Sequence, residues 1–272
     1  MCMDRYTFLT TMSGTNKYQT TILIFCMEIS SRLWEIDLFR GIAILMMVLF
    51  HTLFDISFFG IASLDISTGF WRYFAYATAS LFLLIVGVSL IVSHDKAQQK
   101  ISGVPLALKF VTRGIFIFAL GLLVTLGTWL YLREGFVIFG ILHLIGISIL
   151  LSPLFFRFGK LNVLIGLACI PIGWIISGMS GPSILLPLGI IPPGFTSVDY
   201  TPLFPWFGMV LIGMGVGKFL YADGERRFKV PQIPEIIVTP LSFLGRHSLL
   251  IYLVHQPVII ILLAAVTGMK VL

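Results

Sequence analysis

His51 and Asp55 stand four residues apart inside an otherwise apolar run, Arg32 to Asp55. A carboxylate one helical turn beyond an imidazole can hydrogen-bond one ring nitrogen and leave the other as a base, which is an acid/base arrangement. At the other end of the same run Asp37 and Arg40 are three residues apart, close enough on a helix to pair. With Arg113 and Arg246, each near the same end of another apolar run, Arg40 could instead form a guanidinium cluster for phosphate oxygens. At about 100° per residue, Asp37, Arg40, His51 and Asp55 share one helix face, and Asp37 to Asp55 spans about 27 Å of rise. In hydrocarbon each such group costs at least about 2.5–3.5 kcal/mol unless it finds a partner, a cavity or the interface. The plainer readings are an interhelical bridge at His51 and a helix-end anchor at Asp37–Arg40.

Two more histidines and one loop complete the candidate set. His143 falls early in a later apolar run at the depth of His51, and His255 lies in the last run, beyond His247 and Ser248. Either could face the same cavity as His51, and either could be a packed core histidine. The motif Asp199-Tyr200-Thr201-Pro202-Leu203-Phe204-Pro205-Trp206 opens another run. Its prolines and aromatics suit a helix start at the membrane interface, while Asp199 and Tyr200 would reach an outer vestibule, where carboxylates and aromatic faces suit sugar rings.

The elements that hold these groups follow from composition. Of 272 residues, 58% are hydrophobic and 11% charged, with a mean hydropathy of +1.02. A soluble domain carries about a quarter of its residues charged, so the chain is an all-α, polytopic transmembrane helical bundle in a cell membrane. Apolar runs of membrane length predict about seven spans, at 36–58, 70–92, 109–131, 136–156, 161–178, 203–221 and 242–266. Most cations then fall on one side: Arg32, Arg40, Lys96, Lys100, Lys109, Arg113, Arg157, Lys160, Lys218, Arg226, Arg227, Lys229 and Arg246. Only Arg72, Arg133 and Lys270 fall on the other. That asymmetry places the N-terminus in the cytoplasm and the C-terminus outside, and makes the net charge of +6 a topology signal rather than a nucleic-acid footprint. The longest outer connection, Ser180 to Pro202, is rich in Gly and Pro, and a connection of that length is often functional.

Cys2, Cys26 and Cys169 have no metal-ligand spacing, so no metal is expected. Residues 1–31 read as an N-terminal extension, with Met27 as the expected translation start, and 32–268 as a single transmembrane domain.

The opening Arg32-Leu33-Trp34-Glu35-Ile36-Asp37-Leu38-Phe39-Arg40-Gly41-Ile42-Ala43 resembles that of the heparan-alpha-glucosaminide N-acetyltransferase-like family, within a wider superfamily of transmembrane acyltransferases. Gly140-Ile141-Leu142-His143-Leu144-Ile145-Gly146 and the stretch Gly245 to His255 are similar too, so the likeness covers roughly 32 to 256. It implies that acetyl-CoA in the cytosol donates an acyl group to an acceptor on the outer face through a histidine. Asp37, Arg40 and Gly41 match the family opening, and His51 matches the histidine that bacterial membrane O-acyltransferases place eleven residues after this arginine. The lysosomal enzyme of the family places its histidine in the first lumenal loop; here that loop, Ser57 to Thr68, has none, so either His51 takes the role or the chain does something else.

The resulting expectation is a CoA-dependent membrane acetyltransferase acting on an amino or hydroxyl group of a glycan or glycolipid. His51 and Asp55 are its catalytic pair, and Asp37, Arg40, Arg113 and Arg246 hold acetyl-CoA. His143, Asp199, Tyr200 and His255 face the acceptor. Membrane lipids and the acceptor are the expected partners, a second copy of the chain is a further one, and nucleic acid is not. The competing expectation is a proton-coupled transporter or exporter in which His51, Asp55 and His255 relay protons. A non-enzymatic scaffold would leave the buried charges as a cost without return.

Overall fold

The computed structural model describes residues 33–231 and 233–268, so the extension and the expected start at Met27 lie outside the described residues. Eight α-helices follow one another in the described chain: α1 Trp34–Phe58, α2 Gly69–Gln98, α3 Val104–Leu132, α4 Ile141–Phe155, α5 Asn162–Ser177, α6 Leu203–Leu220, α7 Glu235–Arg246 and α8 Ser248–Thr267. Six helical stretches among the described residues are long and apolar enough to cross a membrane. The expected spans 136–156 and 161–178 fall together in one of them, Ile141–Ser177. It bends through a 3-10 turn, Phe156–Leu161, where Gly159 takes φ 51° and ψ −120°. The protein is thus a helical, multi-pass membrane protein.

Where helix limits depart from the apolar runs, local chemistry accounts for it. α2 continues through polar Ser93–Gln98, because nothing in that segment breaks a helix once its apolar part has nucleated it. α3 begins early, at Val104, with Gly103 at φ 64° before it and Pro105 in its first turn. α4 begins late, at Ile141, because two side chains take up the free N–H groups there: the Asp199 carboxylate accepts from Ile141, and His143 Nδ1 accepts from Gly140. The expected last span, 242–266, is two helices. His247 ends α7, and its ring Nδ1 lies 2.9 Å from the Phe243 carbonyl, offering that acceptor a side-chain donor.

The helices meet backbone to backbone. A Cβ on Gly87 of α2 would stand 2.1 Å from the Val210 carbonyl oxygen of α6, and one on Gly213 of α6 would stand 2.2 Å from that of Leu84. Such close approach through small residues is how helices pack where surrounding lipid is as apolar as their own side chains. The buried cluster runs through α2, α3, α4 and α6, with Leu83, Phe110, Leu144, Val210 and Met214 nearly inaccessible. Outward faces are apolar, as at Phe116 on α3 and Trp174 on α5, and suit contact with lipid chains.

Two polar clasps tie the α2 end that follows Ser89. Lys218 of α6 reaches Asp95 of α2 at 2.7 Å, and His94 approaches the same carboxylate at 3.1 Å while stacking on Phe156. Beyond α6, strands β1 Tyr221–Ala222 and β2 Glu225–Arg226 form a two-residue hairpin. Asp223 and Gly224 both have positive φ, the sequence and geometry such a turn requires.

Candidate active site

α1 carries the site. Its Arg40 guanidinium donates to Asp37 Oδ1 at 2.9 Å and to Ser89 Oγ of α2 at 2.8 Å, so Asp37 and Arg40 do pair and the pair also ties α1 to α2. Arg113 on α3 is near enough to repel the charge of Arg40. Arg113 and Arg246 are exposed and make no ion pair among the described residues, so their guanidinium forks are open.

At the other end of α1, His51 and Asp55 do not bond to each other. The His51 Nδ1 lies 2.9 Å from the Met47 carbonyl oxygen. A carbonyl only accepts, so Nδ1 carries the hydrogen, and in the neutral ring Nε2 keeps a lone pair. His255 of α8 is held the same way, with Nδ1 2.5 Å from the Tyr252 carbonyl, and its Nε2 is buried without a hydrogen-bond partner among the described residues. The two imidazoles meet edge to face, centroids 4.8 Å apart and planes at 77°. Two residues 204 positions apart in the chain thus share one spot, both with a basic nitrogen free.

Asp55 is 2% exposed and instead accepts both hydrogen bonds from Gln256, 2.7 Å to Oδ1 and 3.0 Å to Oδ2. Gln256 went unnoticed in the sequence because an amide beside Pro257 in an apolar run carries no charge to flag it. The signal was its position, next to His255, as Asp55 stands one turn from His51.

His51 lines a cavity of about 180 Å³ between α1, α2, α8 and the segment before α6. Its lining is apolar at Ala43, Met47, Ala79 and Phe82 and polar at Thr78, Asp199, Thr201 and Tyr252. Tyr252 was legible only as one turn before His255, and Thr78 as a small polar residue within the apolar run of α2.

Of the four candidates expected to face the acceptor, Asp199 reaches the cavity while Tyr200, His143 and His255 do not line it; His255 instead meets His51, which does. Asp199 Oδ2 accepts from the Ile141 N–H at 3.2 Å and Oδ1 from the Thr201 hydroxyl at 2.9 Å. Tyr200 donates its hydroxyl to the Leu186 carbonyl at 2.7 Å, and burial pushes its phenol pKa up. It fastens the connection from Ser180, which holds a 3-10 turn at Ser183–Leu188 rather than being structureless. His143 is 2% exposed and its ring is engaged on both sides: Nδ1 accepts from Gly140 N–H, Nε2 approaches Thr125, and Phe118 and Phe139 flank it. It serves the start of α4 and the α3–α4 contact.

Asp199→Ala removes the carboxylate that caps α4. It is expected to cost about 1 kcal/mol, the usual worth of an N-cap, read as a lower melting temperature in detergent; Asp199→Asn, which can still accept, should lose less. Equal melting for all three proteins would show that the cap contributes nothing.

Among the described residues no group of three or more histidine, cysteine or acidic side chains could hold a metal ion. Neither a curated protein nor a solved structure matches the chain. A family model does, over residues 32–257, from the Arg40 end of α1 through the His51–His255 meeting to Gln256. Its description is "Heparan-alpha-glucosaminide N-acetyltransferase, catalytic", and by that match over most of its length the chain belongs to this family of membrane acetyltransferases.

Proposed function

We propose that the protein transfers an acetyl group from acetyl-CoA on the cytoplasmic side to an amino or hydroxyl group of a glycan or glycolipid on the outer side. The observation that carries this reading is the pair of imidazoles, His51 and His255, edge to face with Nε2 free on each. Two neutral bases at one place suit a reaction that must take a proton from the acceptor and return one to the leaving group.

The donor's phosphates dock at the Arg40 end, where Arg113 and Arg246 leave their guanidinium groups open. From there the pantetheine arm follows the apolar strip of α1, in which Ala43 and Met47 line the cavity, and brings the thioester to His51. The acceptor's hydroxyl groups meet Asp199, Thr201 and Tyr252 of the polar lining. The acceptor nitrogen or oxygen attacks the thioester carbonyl carbon while its proton passes to His51 Nε2. The carbon–sulfur bond then breaks, and the imidazolium returns the proton to the CoA thiolate.

The experiment uses the purified protein in proteoliposomes with labelled acetyl-CoA outside and an amino-sugar glycan in the reaction. Label recovered on the glycan, together with a rise in melting temperature on adding acetyl-CoA, is the expected result. The absence of both thermal stabilisation by acetyl-CoA and transferred label would overturn the reading.

A further inference from the structure

Asp55 is a buried carboxylate with no cation paired to it among the described residues; both its oxygens are held by the Gln256 amide. Leaving a carboxylate so placed is costly, and an apolar pair would join the same two helices more cheaply. Gln256 carries a cost as well: with its amide nitrogen turned to Asp55, its own Oε1 is buried without a partner among the described residues. A polar contact kept against both penalties fixes register, because unlike an apolar contact it is lost when one helix slides past the other. What the register governs lies beside it. Asp55 stands one turn beyond His51 on α1, and Gln256 directly follows His255 on α8. Asp55 does not orient His51 itself, whose Nδ1 is engaged with the Met47 carbonyl.

We propose that Gln256 is a positioning residue: through Asp55 it locks α8 against α1 in the register that brings the His51 and His255 rings edge to face. Asp55 then acts as the other half of this brace, not as a charge relay to His51. The proposal rests on the acetyltransferase reading of the same site.

The isosteric exchange Asp55→Asn with Gln256→Glu tests it, since an amide on α1 would donate to a carboxylate on α8 with the same number of heavy atoms. Gln256→Ala, which removes the amide, and Gln256→Glu, which sets a second carboxylate against Asp55, are each expected alone to lower kcat by about 10–100-fold with KM for acetyl-CoA within about 2-fold, the pattern of misplaced reacting groups rather than lost binding. The exchange should bring kcat back to within about 5-fold of the parent. An exchange as slow as the single variants would show that the charge on residue 55 itself is needed, and would overturn the brace. So would a KM and a melting temperature that worsen together with kcat, the mark of general damage.

A second measurement does not depend on turnover. Spin labels at Phe58→Cys on α1 and Ile261→Cys on α8, both exposed, with the native cysteines replaced by alanine, report the distance between the helices. Gln256→Ala should broaden or shift that distance and the exchange should restore it; an unchanged distance overturns the brace. A parent protein without acetyl transfer ends the acetyltransferase reading, and the spin-label result then decides the brace alone.

Discussion

His51→Ala is expected to lower acetyl transfer by about 10²–10⁴-fold, the range supplied by a positioned general base. The variant should remain folded, because among the described residues the ring's only hydrogen bond is to the Met47 carbonyl of its own helix. Losing that bond frees an oxygen already engaged in the helix ladder. The ring does not contact the Arg40 end, so acetyl-CoA should still stabilise the variant against heat. Single-turnover transfer of labelled acetyl in proteoliposomes measures the loss, and free imidazole, which fits the space the side chain leaves, should restore part of the rate. A variant that transfers within about 3-fold of the parent would remove His51 from the chemistry and leave His255, with its own free Nε2, as the remaining base of the pair.

Gly245→Leu is the second large effect, and it acts on assembly. α7 crosses the Arg40 end of α1 so closely that a Cβ on Gly245 would stand 1.8 Å from the Asp37 carbonyl oxygen and 3.0 Å from the Gly41 nitrogen. The converse contact, from Gly41 to the Leu241 carbonyl, is 2.0 Å. Those neighbours are backbone and have no rotamer to change, so the helices have to separate. The expected loss is about 3 kcal/mol or more, at or above the usual ceiling for overpacking. Thermal unfolding in detergent measures it. Gly127→Leu on α3 is the control, since nothing lies within 4 Å of a Cβ there. Melting of the two variants within about 2 °C of each other would show that α7 does not press on α1.

The membrane class and most helices were legible because apolar length is a one-dimensional property: α1, α5 and α6 begin and end within about two residues of the runs that announce them. The start of α4 was not, because it is set by Asp199, which lies 58 residues away in sequence from the amide it caps. The break at His247 was hidden for a different reason, since the ring that ends α7 bonds to its own helix. Within the site, Asp37–Arg40 paired as its spacing allows, a local geometry. His51 and Asp55 have the spacing to pair, yet each found a better partner, the Met47 carbonyl for one and Gln256 for the other. Helical periodicity names what shares a face; it does not name what stands opposite. The meeting of His51 with His255 was open in the sequence for the same reason, as it depends on which helices are neighbours.

Asp199 has a consequence for measurement. Its carboxylate is shared between the first N–H of α4 and the cavity, and the 3.2 Å bond to Ile141 is the longer of its two. A hydroxyl-bearing acceptor that donates to this carboxylate competes with the Ile141 amide for the same lone pairs. Occupancy of the cavity beside Asp199 and closure of the helix end are then linked, each changing the other by the same free energy. The solvent exchange rate of the Ile141 amide becomes a gauge of acceptor binding, readable without any turnover.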